Sequence, residues 1–108
     1  MAKRPQTTPF LDAPATRELF RLQLLLFLYK KRPHEMPQQG IELQLHGHLP
    51  GAAKQQREDI VASELEFLTD LGFVKWRHRS IGSTRLYQLT SQGVLYLERE
   101  EAASLIDL

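Results

Sequence analysis

The sequence predicts a mainly α-helical α+β domain, with elements in the order helix, short element, helix, β-hairpin, helix. Three observations carry this. Apolar residues recur at helical spacing over about residues 16–31 and again over about 53–71. Two runs rich in aromatic and β-branched residues, within 73–79 and 85–90, flank a short loop containing Gly82, the pattern of a hairpin. Breakers stand between these segments: Pro33, Pro50-Gly51 and Gly72.

A chain of 108 residues is one domain's worth. With 42% hydrophobic and 25% charged residues the composition is that of an ordinary globular protein. The absence of cysteine excludes disulfides, a thiolate nucleophile and a thiolate zinc site. The formal net charge is only +1, so a case for nucleic acid must rest on where the charge sits. The longest apolar stretch, Leu24 to Tyr29, is far short of a membrane span. The start, Met1-Ala2-Lys3-Arg4-Pro5, lacks the apolar region of an export signal, which predicts a cytoplasmic protein.

Residues 1–14 read as a flexible tail, because Pro5, Pro9 and Pro14 prevent a regular helix. Phe10 and Leu11 could dock that tail on the domain or on a second copy. The first helix is expected over about Thr16 to Lys31, with Thr16 as N-cap and Glu18 in the first turn. Lys30, Lys31 and Arg32 suit its C-terminal dipole, and Pro33 stops it. Leu19, Leu22, Leu25, Leu26 and Tyr29 form the expected core stripe. Phe20, Leu24, Phe27 and Leu28 add apolar surface on other sides, predicting a central helix or a dimer interface.

Residues 38–49 fit two patterns. Ile41, Leu43 and Leu45 alternate as in a strand, whereas Ile41, Leu45 and Leu49 satisfy helical spacing. The next helix covers about Ala53 to Leu71. It carries Ile60, Val61, Glu64, Leu65, Phe67, Leu68 and Leu71 on one broad side, with Glu64 the only polar member. Gly72 stands at the C′ position. The hairpin follows, and Thr90 or Ser91 caps a last helix over about 91–104, with Val94, Leu95 and Leu97 as its apolar members.

Two motifs now stand in order. Leu65-Glu66-Phe67-Leu68-Thr69-Asp70-Leu71-Gly72-Phe73-Val74 resembles the exit from the recognition helix of winged-helix regulators, and Leu86-Tyr87-Gln88-Leu89-Thr90-Ser91-Gln92-Gly93 resembles their second wing strand. Together they resemble the MarR and PadR kind of winged helix-turn-helix over about residues 15–102. The chain is also similar to small winged-helix proteins carried by Mu-like phages. The resemblance implies the order helix-helix-helix-β-hairpin-helix in a domain spanning 15–104, followed by a tail at 105–108. It also implies a third helix in the major groove of DNA and a wing on the backbone or in the minor groove. The stretch Leu49 to Gln56 is longer than the tight turn of a helix-turn-helix.

The charge pattern points to the same surfaces. From Leu71 to Leu97 there is no acidic residue, while Lys75, Arg77, Arg79 and Arg85 all lie on or beside the hairpin. Lys75, Arg77 and Arg79 are two apart and so share a strand face, about 6–7 Å apart, a spacing that suits successive phosphates. Ser83 and Thr84 at the tip can donate to phosphate. An edge kept basic to discourage strand pairing would look similar. At the start of the third helix, Lys54, Gln55, Gln56 and Arg57 are the side chains that read adenine or guanine edges, and they are equally at home on a solvated face. Glu58, Asp59, Glu64 and Glu66 follow on the same helix and would repel phosphate. Trp76 could stack on a base, or pack against Leu89 or the third helix.

No enzyme is predicted. His46 and His48 would pair on a metal only from a strand, and no Ser, His and Asp grouping or glycine-rich phosphate loop emerges. Together with the resemblance, the sequence predicts a cofactor-free small regulator of transcription that binds double-stranded DNA in a sequence-dependent way through Lys54, Gln55, Gln56, Arg57, Lys75, Arg77, Arg79, Ser83, Thr84 and Arg85. It is expected to work as a homodimer joined through the first and last helices. The alternative is a winged-helix protein-interaction module, a phage or complex-assembly component, which the near-zero net charge and the acidic last helix favour.

Overall fold

A computed structural model describes residues 14–80 and 82–99. The elements are α1 (Pro14–Lys31), β1 (Met36–Pro37), α2 (Gln38–Leu45), a 3-10 turn (His46–His48), α3 (Lys54–Asp70), β2 (Val74–His78), β3 (Arg85–Leu89) and α4 (Ser91–Glu98). Of the tail expected at residues 1–14, Pro14 instead opens α1, and residues 1–13, with the docking of Phe10 and Leu11, lie outside the described residues, as does the expected tail at 105–108. Helix α1 starts at Pro14, two residues before the expected N-cap, so Thr16 lies within the helix and Glu18 beyond its first turn. Proline suits a first helical position, where its missing N–H costs nothing.

The ambiguous segment resolves as helix. Ile41 and Leu45 are buried on one side of α2, while Leu43, which a strand would have buried with them, is 75% exposed. The 3-10 turn then carries the chain to the buried Leu49, so the longer connection into α3 is an ordered second turn of helix followed by a short loop. His46 and His48 sit on that turn, not on a strand, and the paired geometry that metal binding required does not form. No group of three or more metal-ligating side chains exists among the described residues.

The sheet has three antiparallel strands in the order β1-β3-β2. In the hairpin, Val74 pairs with Leu89, Trp76 with Tyr87 and His78 with Arg85. Strand β1, which the sequence did not reveal, adds Met36 opposite Tyr87 and Pro37 opposite Leu86. Two residues are too few to show a period.

Helix α1 packs on β3 and α3 on β2, enclosing a core around Phe20, Leu24, Leu28, Ile41, Val61 and Leu65. The expected α1 stripe needs one correction. Leu19 faces solvent, while Phe20, Leu24 and Leu28 are the most deeply buried positions of that helix. Phe67 and Leu71, expected on the apolar side of α3, are exposed, as is Leu95 on α4. Glu64, only 8% exposed, is held by an ion pair with Arg21 Nε, and the Arg21 guanidinium lies 3.8 Å over the Phe67 ring.

The two sequence motifs meet in space. Helix α3 ends in a Schellman turn: Gly72 (φ +87°) donates to Thr69 O, and the Phe73 amide donates to Leu68 O. Thr90 then clasps this turn. Its hydroxyl donates to Gly72 O at 2.6 Å and accepts from the Gly93 amide at 3.0 Å, while its own amide donates to Phe73 O. A Cβ on Gly93 would lie 2.3 Å from Phe73 O, so only glycine lets α4 approach this closely. The first described helical turn after Thr90 is thus anchored to the exit of α3. Helix α4 ends at Glu98, with extended backbone at Arg99; residues 100–104 of the longer expected helix lie outside the described residues.

Candidate nucleic-acid interface

The hairpin carries its cations into solvent. Lys75, Arg77, Arg79 and Arg85 are all exposed, and so are Ser83 and Thr84. Strand alternation puts Lys75 and Arg77 on the face opposite the buried Val74. Arg79 lies one residue past β2, where its amide donates to Thr84 O and closes the loop.

This row is not three free cations. Glu35, just before β1, receives Arg77 in a two-pronged ion pair: Arg77 Nη2 lies 2.6 Å from Glu35 Oε1 and Nε lies 2.8 Å from Oε2. Hydrogen bonding to Glu35, reinforced by its charge, raises the Arg77 pKa above its ordinary value. Nothing in the local sequence signals this contact, because the partners are 42 residues apart and meet only through the undetected strand β1.

Arg85 lies on the other face. Its guanidinium stacks 3.9 Å over the Trp76 ring, and His78 meets that ring edge-on at 5.2 Å. Trp76 remains 37% exposed and lines a cleft together with the last turns of α3.

At the start of α3, each predicted base reader has a local partner. Lys54 Nζ lies 3.2 Å from Glu58 Oε2, and Gln55 Nε2 donates to Asp59 Oδ1 at 3.1 Å. Both pairs are exposed and weak, so they can yield to a ligand. Gln56 and Arg57 are half-buried. The Gln56 amide oxygen accepts from the Ala53 amide, capping the helix, and Arg57 Nη1 donates to Ala52 O at 2.9 Å. Alanine cannot return the cap, so only half of a capping box forms. From this first turn toward the hairpin, the exposed side of α3 shows Asp59, Ala62, Ser63, Glu66 and Asp70. Acidic residues thus separate Arg57 from the basic hairpin. The sequence placed these acids on the helix but not on the side that leads to the wing.

The element order and sheet can be set beside known proteins. The structure is similar to that of a candidate transcriptional regulator from Thermoplasma acidophilum, with a TM-score of 0.62 over 88% of each chain and 18% sequence identity. The fold is a winged helix. At that identity the likeness carries the architecture alone: β1, α2 and α3 form the helix-turn-helix side and β2–β3 the wing. No protein-family model and no curated protein matches the sequence.

Proposed function

We propose that this winged helix binds double-stranded DNA as a small regulator of transcription, with the wing as its main grip. The observation that carries this reading is the wing itself, with four exposed cations in a stretch from Leu71 to Leu97 that holds no acidic residue. Lys75 and Arg79 contact phosphates directly, Arg77 joins them by exchanging Glu35 for a phosphate, and Ser83 and Thr84 donate at the tip. Helix α3 enters the major groove by its first turn, where Lys54 and Gln55 are exposed enough to reach base edges. Gln56 and Arg57 shape that turn and read bases only if their present contacts open.

The wider reading follows the MarR and PadR resemblance and the similarity to Mu-like phage proteins. The protein acts in the cytoplasm, as a homodimer joined through α1 and α4. Exposed Leu19, Leu95 and Tyr96 on those two helices support such a contact. Among the described residues no helix is long and apolar enough to cross a membrane.

A second reading has its own observation. The acidic exposed side of α3 suits a basic protein partner better than a phosphate backbone. Fluorescence anisotropy with labelled random-sequence duplex DNA, titrated from low to physiological salt, separates the two. Micromolar binding that weakens steeply with salt is the expected result. No binding at low salt would remove DNA from the account and leave the protein-interaction module.

A further inference from the structure

Between the wing and the C-terminal turns of α3 lies a cleft of about 150 Å³, lined by Glu66, Thr69, Asp70, Trp76, Arg85 and Tyr87. It lies apart from the outward row of wing cations. Glu66 and Asp70 are spaced i,i+4, so their carboxylates share one side of α3, and neither enters an ion pair among the described residues. Thr69 is occupied, donating to Leu65 O at 2.7 Å. Tyr87 is only 3% exposed, yet its hydroxyl has no hydrogen-bond partner among the described residues. A buried phenol that lines a polar cleft and has no protein partner is open to a hydrogen bond from whatever occupies the cleft.

The charges that face the cleft select the ligand. Two carboxylates stand against one guanidinium, that of Arg85, which is already stacked on Trp76. The cleft therefore carries one negative charge in excess. A cavity of this size admits a group about as large as benzene. A planar cation fits best, because its several N–H donors can reach both carboxylates and the phenol oxygen together, whereas an ammonium presents a single point.

We propose that this cleft binds one alkylguanidinium group, either of a small free guanidine or of an arginine side chain on a partner. The proposal is independent of DNA binding by the outer face of the wing. Its test needs no DNA, so its failure leaves that reading untouched.

Trp76 is the only tryptophan, and its indole N–H gives a single reporter signal in a ¹H–¹⁵N spectrum. Titration with N-acetyl-arginine amide should move that signal to saturation in the millimolar range. The neutral citrulline analogue should not move it, and the lysine analogue should bind more weakly. Glu66→Gln and Asp70→Asn should each weaken binding about tenfold, the loss of one charge-assisted hydrogen bond. Tyr87→Phe should weaken it several-fold while circular dichroism stays native. Agmatine and an arginine-containing tripeptide identify the source: tighter binding of the peptide indicates a partner's side chain, and tighter binding of agmatine a free guanidine. Equal shifts with arginine and citrulline analogues, or unchanged affinity in folded Glu66→Gln and Asp70→Asn variants, would overturn the proposal.

Discussion

The wing and the third helix are both exposed, and both were expected to touch DNA, yet they spend their charge differently. On α3 the cations and amides are used within one turn: Lys54 by Glu58, Gln55 by Asp59, Arg57 by the Ala52 carbonyl. On the wing the neighbouring sequence holds no acid to use them, and among the described residues the one acid in an ion pair with them, Glu35, arrives from the far side of β3. A helix places residues four apart side by side, so mixed charge neutralises itself locally. A hairpin places cross-strand neighbours together, so an acid-free sequence leaves a field that only tertiary contact can reduce. Clusters of cations in a strand are therefore stronger pointers to an anionic partner than the same cations at the start of a mixed-charge helix.

The largest effect should come from the clasp that holds the two regions in register. Gly93→Ala forces a Cβ against Phe73 O and should cost about 2–3 kcal/mol, read as a lower midpoint in urea denaturation. If stability is unchanged, the anchoring of the wing to the α3 exit is not as described. Next, Lys75→Ala with Arg79→Ala should lower affinity for any duplex at low salt by tenfold or more, by removing about two phosphate contacts. Lys54→Ala with Gln55→Ala should change affinity for random DNA far less and alter sequence preference instead, measured by selection from a random library.

A smaller effect, of opposite sign, comes from Glu35→Gln. It releases Arg77 and should tighten non-specific binding a few-fold, checked by the same anisotropy titration; weaker binding would mean that Glu35 positions Arg77 and does not restrain it. The smallest effect concerns the tie between α1 and α4, where Tyr29 donates to Glu98 at 2.8 Å. That hydrogen bond, with burial and the Glu98 charge behind it, raises the Tyr29 pKa. A raised pKa means that the contribution is present below the unfolded tyrosine value, about 10, and is lost as pH rises through the folded one. Tyr29→Phe should remove this alkaline dependence from urea midpoints.

Much of the fold was legible because its signals are local. The helix at α3, the glycine at its end, a cap at Thr90 or Ser91, which proves to be Thr90, and the hairpin runs each describe a few neighbouring residues and reappear in the structure, although Phe67 and Leu71, expected on the apolar side of α3, are exposed. Even the two motifs had a physical reason to travel together, since Thr90 hydrogen-bonds the Gly72–Phe73 turn and Gly93 leaves room for α4 to pack against it. Strand β1 was missed because two residues show no period, and the second helix was undecided until burial of Ile41 and Leu45 separated them from exposed Leu43. The buried Glu64 was visible as an anomaly, but its partner Arg21 was not. The wing's cations were legible as a cluster; the restraint on Arg77 and the cleft beneath Trp76 are products of tertiary contact.

On the proposed reading the wing supplies more of the DNA contact than the third helix. The most direct measurement compares the salt dependence of random-duplex binding for the parent protein, the Lys75→Ala/Arg79→Ala variant and the Lys54→Ala/Gln55→Ala variant. The slope of log K against log salt should fall by about two phosphate contacts for the wing variant and by at most about one for the helix variant. Equal slopes for the parent and the wing variant, with a large loss for the helix variant, would contradict it and make α3 the principal DNA contact.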